Sequence, residues 1–585
     1  MGSDAPSLID ELKRRRVFRA LVGYGAVAFA LLQIIEPIMH GLHWPDAVLT
    51  YVVAALAIGF PIVVGLAWIF DVNAGRVERT EPVPAFRGVR LGLLLAGIGV
   101  LAAAPGIAWF FLLRRPAVPA TAASTGATGP SIAVLPFLNL SSDKEQDYFS
   151  DGITEEILNA LAQLDGLRVI GRTSSFAMKG KNEDLRSIGA QLGAGHLLEG
   201  SVRKAGARVR ITAQLIEAAG GSHLWSQQFD RELTDVFAVQ EEIARAVVVA
   251  LKLKLLPNSQ SVSLRRPASS DAYEQYLLGR HFLNRQERAS LVLAVDAFEK
   301  SVAIDPGYAP AWAGLANASD QLSDFEALLP EIERRRARAE EAAERAVVRG
   351  PELADGFAVR GQLRSVYQWN WDGARTDLER ALQINPGDAE TQRRYGGLLA
   401  SLGQVPEGIA SARKATVLDP LAASAWTTLG LLLTATGRYD EARAALRRAW
   451  EIAPDQPYAP RNLGYTYLLQ GRFQDASATF DRIAAVNHVT RTVGAAFAEH
   501  ELHHEDRAQA AIAELTDKHS RQNAYQLAQI HAWQGRRELA FVWLDKAFAA
   551  HDAGLSYLKF DPFLKSLRTD ARYTALLQRM KLPAE

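Results

Sequence analysis

Apolar positions along the chain change their pattern twice. Near the amino end they are almost continuous, over Val17–Met39, Val48–Phe70 and Leu91–Leu113. At about 1.5 Å per residue each stretch is long enough to cross a hydrocarbon layer ~30 Å thick, so the pattern predicts three transmembrane helices. From Ser131 the apolar runs shorten: Ser131–Leu140 and Leu167–Arg172 read as buried strands. Asp151 is placed to cap a helix through Leu164, and Asn182 one to Leu192. His196–Lys204, Arg208–Glu217 and Ser222–Phe229 alternate as strands, and a helix over Asp235–Leu256 closes a small α/β domain at 131–257.

From Asp271 the pattern is helical and repeats. Pro386, Pro420 and Pro454 stand 34 residues apart, as do Gly396, Gly430 and Gly464, and Gly403, Gly437 and Gly471. That is the period of the tetratricopeptide repeat (TPR), a helix pair that buries its apolar face only against neighbouring pairs. The prolines follow second helices, Gly437 and Gly471 mark the turn inside a pair, and Gly430 and Gly464 allow the two helices to approach. The sequence predicts seven or eight pairs over 271–585, with a cap around Leu564–Met580. The whole is thus a multidomain chain: three transmembrane helices, a small α/β domain and an all-α superhelical solenoid.

Composition narrows the function classes. Lys+Arg and Asp+Glu are both 65, a balance unlike the basic excess of a nucleic-acid binder. The Cys count of 0 removes disulfides, thiolate metal sites and cysteine nucleophiles. Charge around the apolar spans sets an orientation. Lys13–Arg16, Arg19, Arg76, Arg79, Arg87 and Arg90 lie on one side, and only Arg114 and Arg115 on the other. Basic loops stay in the cytoplasm. The amino terminus is therefore expected inside and the residues after about 115 outside, in the periplasm of a bacterial inner-membrane protein. A cleaved signal peptide is the rival for the first span, but its apolar run continues past Ala30. Glu36 and Gln33 fit an interfacial position better than an ion site. Residues 116–130, free of charge and rich in Pro, Ala, Thr and Ser, read as a tether.

The segments SIAVLPFLNLSSDKEQDYFSDGITEEI, RVIGRTSSFAMKGK and LLEGSVRKAGARVRITAQLIEAAGGSHLWSQQFDRE together resemble the TolB amino-terminal-like domain of bacterial envelope and signalling proteins. The resemblance implies an α/β interaction or sensory domain without catalytic residues. Arg172, Glu199 and Asp230 within these motifs are read as ion pairs and caps rather than as a ligand pocket.

First helices line a TPR groove, and there the clearest repeats place Arg393, Arg394, Thr427, Thr428, Arg461, Asn462 and Tyr465. Arginines beside Asn and Tyr suit an extended peptide or a carboxylate; a solvated helix face is the competing reading. One segment has an enzyme pattern: His500-Glu501-Leu502-His503-His504 matches the H-E-x-x-H of zinc hydrolases, with His500 and His504 as ligands and Glu501 as base. Continuing the repeat puts an inter-helix turn near His504–Glu505, which breaks the continuous helix that motif needs. The sequence therefore predicts a non-enzymatic membrane-anchored scaffold or sensor with no cofactor or metal. Its expected partners are a periplasmic protein or peptide, the lipid bilayer and a possible second copy of itself. The alternatives are a transmembrane transducer acting on a separate cytoplasmic enzyme and a zinc hydrolase.

Overall fold

The computed structural model describes residues 130–583 apart from 142–145, 165, 182, 207, 233–235, 251–268, 286, 326–328 and 484–486. Before them it describes only residues 24, 27, 28, 31, 56, 59, 63, 70–73 and 76–79. The chain divides into two compact units, Met1–Thr125 and Gly126–Glu585.

In the first unit, β1 (Phe70–Asn73) pairs antiparallel with β2 (Arg76–Arg79). Phe70, expected to end the second span as helix, instead opens β1. Tyr24, Val27, Ala28 and Leu31 of the first span and Leu56, Gly59 and Val63 of the second are helical, and the Tyr24 hydroxyl donates to the Leu56 carbonyl. The third span, the tether up to residue 129 and the rest of the first two spans lie outside the described residues. Among the described residues no helix is long and apolar enough to cross a membrane.

The second unit opens with the α/β domain. Its strands β3 (Ser131–Val134), β4 (Leu138–Asn139), β5 (Arg168–Val169), β6 (His196–Ala205), β7 (Arg208–Glu217) and β8 (His223–Glu232) form one sheet in the order β5-β3-β6-β7-β8, with β4 also on β6. β3 runs parallel to both neighbours, and β6-β7-β8 is an antiparallel meander. The all-apolar pattern of β3 follows from burial on both faces. Ile132 and Val134 meet the core beneath helix α1 (Asp147–Ala162), whereas Ala133 joins Ile188 and Leu192 on the other side. α2 (Arg172–Phe176), α3 (Leu185–Leu192) and α4 (Val236–Ala250) complete the domain. α1 begins before the expected cap, so Asp151 sits in its second turn and pairs with Lys179 at 2.7 Å. The second strand is shorter than expected because Arg172 already belongs to α2. Asp184, with extended backbone, stands at the start of α3.

Among the described residues sixteen helices follow as eight pairs: α5 (Ser270–Leu283) with α6 (Arg288–Ile304), α7 (Ala309–Ser323) with α8 (Leu329–Arg349), α9 (Ala354–Val366) with α10 (Trp371–Ile384), and α11 (Ala389–Ser401) with α12 (Val405–Leu418). Then come α13 (Ala423–Ala435) with α14 (Tyr439–Ile452), α15 (Tyr458–Leu469) with α16 (Phe473–Ile483), α17 (His488–Glu501) with α18 (Glu505–Lys518), and α19 (Ala524–Trp533) with α20 (Arg537–Ala549). First helices of consecutive pairs also pack on one another, which puts them on the inner face of a solenoid. The repeated glycine is a packing requirement. A Cβ on Gly464 would stand 2.4 Å from the Phe480 ring, and one on Gly430 2.5 Å from Leu446. The Trp312 and Trp426 indoles each donate to the carbonyl of the proline six residues before, Pro306 at 3.0 Å and Pro420 at 2.9 Å, tying a first helix to the turn that precedes it.

The α/β domain and the solenoid share one apolar core, running from Ile132 and Phe149 through Leu277 and Phe298 to Leu363. α1 crosses α5 closely, for a Cβ on Gly152 would meet Leu277 at 2.4 Å. Beside this crossing lies a buried charge network. Glu155 pairs with Arg172 and, at 2.6 Å, with Arg280, and it accepts from Asn284 at 2.9 Å. Glu156 accepts from the Tyr276 hydroxyl at 3.1 Å, and Tyr276 accepts from Arg280 at 2.9 Å. Burial pushes the Glu156 carboxyl up to about 7, against the pull of Arg280 and the Tyr276 hydrogen bond.

A second bridge joins α2 to the end of α12. No side chain of its own caps α2. Instead Asp419 accepts from the Ser174 N–H at 2.8 Å, the Thr173 N–H at 3.2 Å and the Ser174 hydroxyl. Gly171 N–H donates to the Leu418 carbonyl at 2.7 Å, and Leu421 N–H to the Ser174 hydroxyl at 2.7 Å. Asp419 thus serves as the N-cap of a helix 245 residues away.

Two outcomes follow. Asp419→Ala lowers stability by roughly 1–3 kcal/mol and raises amide exchange at Thr173 and Ser174; unchanged protection there would refute the cross-domain cap. For Glu156 the folded pKa lies above the unfolded value, so its neutral form stabilises the fold at low pH. That contribution fades as pH rises through about 7. Glu156→Gln, neutral throughout, is therefore expected to outlast the wild type by on the order of 2–3 kcal/mol at pH 8 and to match it near pH 4. Denaturant melts at the two pH values provide the check.

Candidate functional site

The groove formed by the first helices is crossed by the chain's own end. After α20 come two 3₁₀ turns, Ala553–Tyr557 and Pro562–Leu567, and a last helix α21 (Ala571–Arg579). The first turn packs against α9, α11, α19 and α20, and the second against α19. This strap begins where His551 stacks on Trp369, ring centroids 4.6 Å apart. It reaches Leu402, whose carbonyl accepts from Lys559 at 3.4 Å, and ends where the Trp371 indole donates to the Met580 carbonyl at 2.7 Å. Asp552, Asp561 and Asp570 stand nine residues apart in the sequence, and each caps the element that follows it, accepting from Gly554, Phe563 and Arg572 N–H. Leu555, Leu558, Phe560, Phe563 and Leu564 are all buried, each worth about 1.5–3 kcal/mol in surface removed from water. The cap expected around Leu564–Met580 is thus the latter part of a longer element lying inside the groove.

The groove residues read from the sequence fall into two sets. On α11, Arg393 and Arg394 converge on one carboxylate. Arg393 holds Glu390 at 2.6 and 2.8 Å, and Arg394 reaches it at 2.9 Å. Burial pushes the Glu390 carboxyl up, but the two guanidinium groups prevail and hold it well below the usual range. On α13, Thr427 bonds its own helix at the Ala423 carbonyl (2.8 Å), and Thr428 is half-buried beside it. On α15, Arg461, Asn462 and Tyr465 face the strap rather than an empty channel. Asn462 is buried and donates to the Tyr458 carbonyl at 3.0 Å. The Tyr465 ring meets Phe480, Phe497 and Phe563 edge-on, with the Phe563 centroid 5.2 Å away.

Sequence reasoning missed Tyr525, Gln529 and Asp561. The Tyr525 hydroxyl and the Gln529 amide both donate to Asp561 at 2.6 Å, pinning the strap to α19. The nine-residue aspartate spacing was the available signal for the strap.

The H-E-x-x-H segment straddles a helix end. α17 stops at Glu501, His503 adopts φ 60°, and α18 starts at Glu505. His500 pairs with Glu505 at 3.0 Å and His504 with Glu499 at 2.7 Å, so the two imidazoles engage different carboxylates. Among the described residues no group of three or more His, Asp or Glu is placed to hold a metal ion. In the α/β domain Arg172 belongs to the Glu155 network, Asp230 pairs with Arg210 at 2.9 Å on the surface, and Glu199 lies half-buried on β6.

Known proteins share parts of this architecture. The family described as tetratricopeptide repeat matches residues 366–423, 398–457 and 433–499, so the helix pairs within that stretch are TPR units, and TPR proteins mediate protein–protein interaction. The family described as "HilA/YgeH-like transcriptional regulator, second domain" matches residues 128–246, the stretch read above as TolB-like. A Rhizobium meliloti (strain 1021) protein named "Putative adenylate cyclase 3" is 44% identical over 197 residues, 34% of this chain and 33% of that protein. The chain therefore matches about a third of that relative's length. A solved thermophilic TPR protein of Thermus thermophilus is 22% identical over 34% of this chain and 99% of its own, with TM-score 0.29. One from Parabacteroides merdae is 14% identical over 46% and 99%, with TM-score 0.33.

Phe563→Ala is expected to cost about 3–5 kcal/mol through lost burial and the cavity it leaves. Limited proteolysis should then cut first within 551–583 while the helix pairs persist. Simultaneous cleavage throughout the solenoid would show that the strap is not a separate layer.

Proposed function

We propose that this chain is a non-enzymatic scaffold anchored in a bacterial inner membrane, holding protein partners on the periplasmic side through its TPR solenoid and α/β domain. The observation that carries the binding role is the TPR array. Its first helices present Arg393, Arg394, Thr427 and Thr428 on the inner face. The strap packs against α9, α11 and α19 on that face, so partners are assigned to the half-exposed part of α13 around Thr427 and Thr428 and to the outer edges of the pairs. The anchor and the sidedness rest on the three apolar stretches and their flanking charges. The α/β domain, cored together with the first two pairs, is assigned the role of a rigid platform.

A second reading, a transducer that passes a periplasmic binding event to a separate cytoplasmic output, draws on the names of two similar proteins, one "Putative adenylate cyclase 3" and one a family of transcriptional regulators.

The absence of cysteine makes single-cysteine variants clean probes. Ser222→Cys, on the exposed turn before β8, is expected to react with a membrane-impermeant maleimide in intact spheroplasts. Reaction only after lysis would overturn the sidedness. A photocrosslinker at residue 428 is expected to give discrete protein adducts in membranes. Their absence, with adducts at an outer-edge position instead, would move the partner surface out of the groove.

A further inference from the structure

We infer that the cavity between the groove and the strap is a binding site for a small organic carboxylate with a compact apolar body. The cavity, of about 60 Å³, is walled by Leu431 of α13, Arg461 and Tyr465 of α15, Gln526 of α19, and Tyr557 and Phe563 of the strap. That volume holds several waters or one small anion.

Three polar atoms on these walls are buried and lack any hydrogen-bond partner among the described residues: Arg461 Nε, the Tyr465 hydroxyl and Gln526 Oε1. Leaving a buried donor or acceptor unpaired is unfavourable, and three such atoms line this one cavity. The Arg461 guanidinium lies 5.5 Å from the Tyr458 ring centroid and meets no carboxylate among the described residues. Asp561, the acid on the same wall, is already engaged by Tyr525, Gln529 and the Phe563 N–H at 2.8 Å. Burial pushes the Tyr465 hydroxyl up to about 12, so it remains a donor at neutral pH. A guanidinium N–H and a hydroxyl, both donors, therefore line one cavity in which neither meets an acceptor. A carboxylate supplies that acceptor, with the counter-charge that Arg461 lacks and a planar fork that matches its own. The rings of Tyr557 and Phe563, with Leu431, receive the apolar part. Because two of these walls belong to the strap, such a ligand binds the strap-seated form and stabilises it by mass action. The site adds a small molecule to the scaffold role and does not depend on it.

The test uses the full chain in detergent micelles with acetate and propionate as probes and propionamide as the neutral isostere. Thermal melts and ligand-observed saturation-transfer NMR are the readouts. The carboxylates are expected to raise Tm and to show transfer, while propionamide does neither. Arg461→Gln should abolish the response, and Tyr465→Phe, which keeps the ring packing, should weaken affinity about fivefold to tenfold. Equal behaviour of carboxylate and amide, a full response in Arg461→Gln, or no response in wild type (a cavity filled by ordered water alone) would each overturn the site. Where Arg461→Gln does not fold, Tyr465→Phe decides: an undiminished response sinks the proposal.

Discussion

Removal of apolar surface from water along the inner face of the solenoid is the interaction on which the rest depends. A single helix pair cannot hide its own inner face, so each borrows cover from the next. Small residues such as Gly430 and Gly464 let second-helix side chains, Leu446 and Phe480, press into the first helices. At the far end the last pair would leave that face open, and the strap closes it with Leu555, Leu558, Phe560 and Phe563. The strap's aspartates then satisfy the backbone donors that a chain of short turns would otherwise strand. Apolar cover and polar capping are thus two halves of one solution.

The same logic operates at the other end. α1 covers one face of the α/β sheet and itself needs a partner on its other side, which α5 supplies, so the two modules share a core instead of meeting at a surface. Charges enter that contact because α1 carries Asp151, Glu155 and Glu156 into it. The fold tolerates them by providing Lys179, Arg172, Arg280 and Tyr276 at hydrogen-bonding distance. Removing Glu155 would leave Arg172 and Arg280 without their buried counter-charge, which costs more than the intact pairs return.

How much of this was legible in the sequence depended on whether the cause was local or periodic. The 34-residue interval of Pro and Gly announced the solenoid because every pair solves the same packing problem. Continuous burial of β3 and the alternation of β7 announced the sheet for the same reason. The Asp419 bridge was hidden. In Asp305-Pro306-Gly307 and Asn385-Pro386-Gly387 the first side chain caps its own turn through the glycine N–H. Asp419-Pro420-Leu421 looks like a third copy, yet its carboxylate reaches Ser174 in another module. Only the missing glycine distinguishes it. The groove candidates lie on first helices, but the neighbours of Arg461, Asn462 and Tyr465 come from a segment nearly a hundred residues later, which no repeat arithmetic assigns. Arg461 and Tyr465 were legible as positions and not as surroundings.

The bridge at Asp419 also bears on mechanics. An unbraced helical solenoid stretches like a spring, because small rotations at each joint add along its length. Here the α/β domain is fastened at α5 and again at the end of α12, a chord across four consecutive units, and the strap ties α19 back to α9 and α11. Pulling on this spiral cannot be shared out as gentle uncoiling: the load falls on the two fastenings, so extension proceeds by abrupt release of one or the other rather than by gradual lengthening.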